Sequence, residues 1–429
     1  MIPNLTNNKM RHLFTIIFIP LLFSCKGKEI KTQSNLSSIG ENKEIIAIDL
    51  DQIEEVQTLL VSSFFKDVSP VVLELTDESI LKNISKLIPF DEYLIINDLN
   101  LNNSGIYLFN KNGKFVRRIG RIGKGPGEYS STSDCTVNYT DGLLYVLDGN
   151  TNRILTYRLP SGEFSESVKL QDINVMSHSI EYHDGKLYVD TDFIYPGDED
   201  YLLREIDLKT GGNVNLWLSN DKYNMGYNNR NTKRPSAIQP FYNSRSYGLK
   251  FVQFFMDMII DIESEEIKPI LSITGTQLLT RDELNSIQKE NSNLPINVSL
   301  MMAPKICRIH GYVEGPGFIM FSYQKEGVIQ TVVYDKNTRQ AKNIYYFTDD
   351  LIYDVSQDNA EVDPSAGIGG ATDIIYSDQE GAYRQISLDF LDGFRDLASE
   401  GKLNFKEEDL VKLKNLDKEA NPVLMYYEY

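Results

Sequence analysis

The residues best suited to chemistry gather in one short stretch, DKYNMGYNNRNTKRP from Asp221. There Arg230, Lys233 and Arg234 stand beside Tyr223 and Tyr227 with few acidic neighbours. Cations next to aromatic rings can grip an anionic or sugar-like ligand through charge-assisted hydrogen bonds and stacking. The alternative is a solvated loop whose charges offset an acidic surface, and the residue types favour it. Outside the N-terminal apolar segment the histidines are His178, His183 and His310. The first two are close in sequence and the third is distant, so a zinc site would need ligands converging from remote parts of the chain. Asp98, Asp148 and Asp190 fall at similar places in similar segments. A ring of such carboxylates could hold calcium, which takes six to eight oxygens, but each also suits the capping of a turn, and the turn reading is preferred. The acidic stretch SQDNAEVDPSAG from Ser356 reads as a solvated loop. No Gly-x-Ser-x-Gly elbow or His-Glu-x-x-His pair occurs, so the sequence points to no catalytic residue, no metal ligand set and no cofactor.

A glycine-rich segment, IGRIGKGPGEY, invites comparison with loops that cradle phosphate. Lys124 is followed by Gly125 rather than by the Ser or Thr that would hold magnesium, and no helical pattern follows to present amide groups. Gly120, Gly123, Gly125 and Gly127 with Pro126 are better explained as a crossing between strands where the backbone turns sharply.

These candidates must be positioned by a chain of 429 residues, 41% hydrophobic and 24% charged, the proportions of a globular protein. The net charge of −18 leaves no basic surface for nucleic acid. The 25 Tyr and 20 Phe favour strands, because flat, stiff side chains fill a pleated surface well. One long apolar run, Leu13 to Phe23, follows Lys9 and Arg11, is too short to span a bilayer as a helix, and ends in Ser24-Cys25. Residues 1–24 therefore read as a signal peptide. Residues 25–44 are polar and aperiodic and read as a flexible tether. Cys135 and Cys307 lie singly in strand-like surroundings; they are read as buried free thiols, with pairing in an oxidising compartment as the alternative.

Residues 45–429 are read as one domain, and beyond residue 90 one pattern keeps returning: strand, polar turn, strand, then a tight turn into another strand. Tight turns fall at Asn112-Gly113, Ser161-Gly162, Thr210-Gly211, Glu263-Ser264, Asn337-Thr338 and Glu380-Gly381. Strand-like runs precede them, YLIIND, LLYVLD, KLYVDTD, LKFVQFF, FIMFSY and DIIYSD. Units of roughly 40 to 50 residues with several short strands are the signature of a β-propeller, whose small sheets stack radially because none can bury its own faces. Six turns predict six blades. TRDELNSIQKEN opens with Thr280 and Glu283 in capping-box spacing and predicts a short inserted helix. A second helical stretch, Leu397 to Leu416, precedes a last strand-like run, Val423 to Tyr429. That run and the early Val71 to Leu75 are the two candidates for closing the ring.

FVRRIGRIGKGPGEY from Phe115, LYVLDGNTNRILTY in the next unit and the closing NPVLMYY resemble the six-bladed β-propeller lipoproteins of Bacteroidota, a family related to NHL-repeat propellers. Ser24-Cys25 resembles the lipobox of bacterial lipoproteins, which implies cleavage before Cys25 and lipid on its sulfur. The resemblance implies a secreted propeller. A rigid disk with variable loops and no catalytic constellation is read as an envelope-anchored binding or scaffold module for a protein or glycan-like ligand, touching the membrane only through its lipid. The alternative is a metal-dependent hydrolase or lyase with its site in the central channel.

Overall fold

A computed structural model describes residues 31–33, 45–99, 104–171, 175–176, 179–191, 193–194, 201–225, 239–253, 255–263, 266–290, 305–306, 309–353 and 370–429. It is a six-bladed β-propeller with few helices. Each blade is a small antiparallel sheet whose strand order follows the chain, apart from the sixth. The innermost strands, in order, are Ile84–Phe90, Asp134–Asn138, Ile180–His183, Phe241–Ser244, Ile309–Glu314 and Ile374–Ser377. Apolar cores lie between neighbouring blades. Ile95, Leu108, Val137 and Val146 join blades one and two, while Leu147, Ile154, Leu187 and Val189 join two and three. Each sheet therefore buries both faces, as continuous apolar strands such as Tyr93–Asp98 require.

The sixth blade joins the two ends of the chain. Its inner strands, Ile374–Ser377 and Gly381–Ile386, are followed by the C-terminal Val423–Glu428, which pairs antiparallel with the N-terminal Asp67–Val72. Both candidate closing runs are thus used, side by side. This arrangement also corrects the sixth repeat. The first five tight turns join the third strand of a blade to the fourth, whereas Glu380-Gly381 joins the first strand of blade six to the second. Blade six draws its outer strands from the chain ends and has no hairpin at the equivalent place, so the inner hairpin offers the only tight turn.

Upstream, the chain runs along the rim as extra outer strands. Lys31–Gln33, Ile46–Asp49 and Glu54–Leu60 pair parallel to the outer strands of blades three, four and five. They cover edges that would otherwise present unpaired backbone groups. The capping box forms as expected: Glu283 N donates to Thr280 Oγ1 at 3.3 Å and Thr280 N to Glu283 Oε2 at 2.9 Å, at the start of the helix Arg281–Glu290. The stretch expected as one helix over Leu397 to Leu416 is instead two, Leu388–Ser399 and Glu407–Lys414, separated at Gly401 with φ 71°. They are inserted within blade six, and Phe394, Ala398 and Leu413 pack onto Val61 and Phe65. Gly113 shows why its turn needs glycine: φ is 82°, and a Cβ would lie 2.1 Å from the Val72 carbonyl oxygen of blade six.

Candidate functional site

The six inner strands surround a central cavity of about 750 Å³. Ile84, Ile88 and Ile374 give the cavity apolar surface from blades one and six. Beside them lies a polar set from blades one to four. Lys86 Nζ is 3.1 Å from Asp134 and 2.5 Å from Glu181, one residue from each of the first three blades. Glu181 also accepts from Thr136 Oγ1 at 2.7 Å and from Asn243 Nδ2 at 3.0 Å. Asp134 accepts from the Ile180 and Cys135 amides at 2.9 and 2.8 Å.

The cluster is withdrawn from water, with side-chain exposures of 12% for Lys86, 0% for Asp134 and 2% for Glu181. Burial lowers the Lys86 pKa, but Asp134 and Glu181 together outweigh it and hold the ammonium firmly protonated. Burial pushes the Asp134 carboxyl up to about 6; Lys86 opposes that rise and Glu181 adds to it. Burial likewise raises the free thiol of Cys135. One ammonium faces two carboxylates.

Tyrosines and a second set of ion pairs extend the lining toward the inner-hairpin mouth. Tyr139 lies under the Arg245 guanidinium, 4.6 Å from ring centroid to carbon. Tyr242 accepts from the Gly311 amide at 2.8 Å, and Tyr312 donates to Glu314 at 2.7 Å. Lys250 pairs with Asp261 at 2.9 Å and Lys336 with Glu314 at 2.8 Å.

The expected ligand loop is seen only at its start. Tyr223 ends a short helix and is 7% exposed, packed with Trp217, Leu218 and Met256 in the core; Tyr227, Arg230, Lys233 and Arg234 lie outside the described residues. Cys25, His178 and Cys307 lie outside them as well, as does the ring of His310. His183 sits beside Asp184, 3.6 Å away, where the inner hairpin of blade three turns. Asp98, Asp148 and Asp190 do not ring the channel. Each caps the crossing into its own blade: Asp98 accepts from Asn83 N at 2.6 Å, Asp148 from Ser130 N at 2.9 Å and Asp190 from Ser179 N at 2.7 Å. Among the described residues no three His, Cys, Asp or Glu come together in a way that could hold a metal ion. The glycine-rich segment is a structural crossing, where Tyr129 and Tyr157 donate to the carbonyls of Ile119 and Gly127, both at 3.0 Å.

The Lys86 cluster was not anticipated from the sequence. Its signal was a lone ionisable residue in each of two otherwise apolar runs, Lys86 in ISKLIPF and Glu181 in SIEY. A strand buried on both faces keeps a charge only beside an opposite one.

Fold and channel together define a closed six-bladed propeller with a polar axial cavity. The chain belongs to the DUF4934 family, a domain of unknown function, which it matches over residues 44–428. It is similar in structure to a Bacteroides fragilis protein described as exported, with 21% identity and a TM-score of 0.66 over 90% of this chain and 99% of that one. A looser likeness, TM-score 0.46 and 11% identity, joins it to a member of the DUF4221 family from Bacteroides vulgatus, over 84% of this chain and 98% of that one. At such identities the likeness speaks to the fold alone. No curated protein matches the sequence.

Proposed function

We propose that the protein is a lipid-anchored binding module of the bacterial cell envelope, related to NHL-repeat propellers, whose ligand site is the central channel. The observation that carries this reading is the cavity of about 750 Å³, lined by ionisable and aromatic side chains on six mutually braced strands. Rigid strands hold such groups in place before a ligand arrives, which lowers the ordering cost of binding. The Ser24-Cys25 pair after an apolar run supports the anchor, and among the described residues no helix is long and apolar enough to cross a membrane. The exported character described for the Bacteroides fragilis relative agrees with this location.

The test is a ligand screen by thermal shift on the wild type and on Ile374→Trp, which fills the channel from its apolar surface. A ligand that raises the wild-type Tm and leaves the folded variant unmoved is expected. Equal shifts in both would place the site elsewhere. Cys25→Ser should move the protein from the membrane to the soluble fraction of envelope preparations; unchanged membrane retention would remove the anchor.

A further inference from the structure

We propose that the channel selects an organic cation, a small ligand presenting a primary ammonium or guanidinium group on an apolar body. The inference rests on reading the channel as the ligand site, and three independent observations carry it.

The first is the charge imbalance among the polar lining residues. Lys86 faces both Asp134 and Glu181, leaving one carboxylate charge uncompensated in a site almost closed to water. Such a charge is costly unless a counter-charge reaches it. Lys250 is engaged by Asp261 and Lys336 by Glu314, and neither pairs with Asp134 or Glu181. Arg245 stands over Tyr139.

The second observation is the mouth itself. In an antiparallel propeller all inner hairpins turn on one face, and here they present Asp91, Glu92, Asp141, Asp184, Asp378 and Glu380 against Arg245, Lys186 and Lys336, the last reaching over Tyr247. A rim with an excess of one sign over a low-dielectric channel concentrates ions of the opposite sign. The chain's net charge of −18 adds to that field.

The third is the mixed lining of the cavity. Ile84 and Ile88 flank Lys86 on one inner strand and Ile374 lines the same cavity from blade six, so a ligand with a charged head and an apolar body meets a partner for each. An anion would meet the surplus carboxylate, and a neutral polar molecule would leave it uncompensated.

The discriminating experiment uses three probes that share one body: phenethylamine, 2-phenylethanol and phenylacetate. Binding to the folded full chain is measured by calorimetry at neutral pH. The amine is expected to bind at least tenfold more tightly than the alcohol, and the acid more weakly than either. Glu181→Gln, which removes the surplus charge and keeps the side-chain shape, should weaken the amine at least tenfold and leave the alcohol unchanged. Val411→Ala, on the exposed face of the helix Glu407–Lys414, should leave binding of all three probes unchanged. Added salt should slow association of the amine. Equal binding of amine and alcohol, tighter binding of the acid, indifference to Glu181→Gln, or failure of all three probes to bind would each overturn the proposal. A screen ligand blocked by Ile374→Trp but showing no preference for cations would leave the channel reading standing and remove only the cation.

Discussion

Lys86 and Arg384 are both cations held on propeller strands away from water, but their surroundings differ. Arg384, on the second strand of blade six and 8% exposed, lies 3.5 Å from Asp349, which also accepts from the Tyr427 hydroxyl at 2.5 Å. Its other carboxylate neighbour, Asp373 at 3.8 Å, is 37% exposed and borders water. Of those two carboxylates only Asp349 is buried. Lys86 faces two carboxylates that are both buried, beside a cavity. A buried pair within the packing ties strands together; a surplus charge beside a cavity is positioned to meet something that arrives from outside.

The largest expected effect is that of Lys86→Met, which strands two buried carboxylates and should cost about 3–5 kcal/mol in urea unfolding at pH 8. Arg384→Met should cost a similar amount, about 3 kcal/mol, because Asp349 loses its cation. The two should part company on acidification. Lowering the pH should relieve Lys86→Met more strongly, since two carboxyls can then take up protons instead of one. Equal relief would break the contrast between the sites. Next in size, Tyr427→Phe should cost about 1–3 kcal/mol by removing the donor to buried Asp349.

Asp134 sets the expected pH dependence. Its carboxyl holds its proton more tightly in the folded chain, with a pKa of about 6 against 3.8 in the unfolded state. The folded state therefore binds more protons between those values, and the contribution of this group to stability falls as pH rises from about 4 to about 6. Because Glu181 contributes to that rise, Glu181→Gln should flatten the slope, read as the difference between wild-type and variant unfolding free energies across the window. The smallest effect is on stability itself at pH 7, where Glu181→Gln should change the unfolding free energy by no more than about 1 kcal/mol. A larger loss would make the Lys86 cluster a structural tie like the one at Arg384.

The architecture was legible because its signals are local. Glycines at 113 and 162 take the positive φ that their turns require, and Thr280 with Glu283 closes the box that starts the inserted helix. The alternating roles of Asp98, Asp148 and Asp190 as turn caps also follow from residue type. What escaped was non-local. Ile46–Asp49 and Glu54–Leu60 join blades whose other strands lie hundreds of positions later, and nothing in those short runs names a partner. Lys86 meets Asp134 and Glu181 only because three successive blades bring their inner strands to one axis. Tyr223 packs with Trp217 and Leu218 and also lines a smaller cavity of about 140 Å³, while the rest of its loop lies outside the described residues.

Blade six has a consequence for how the molecule is made. Its outer strand, Asp67–Val72, emerges early in synthesis, but it can pair only with Val423–Glu428, which emerges last. Until then the disk has a gap and its first and final interfaces stay open to solvent. Loss of the last seven residues would leave the finished ring unlatched.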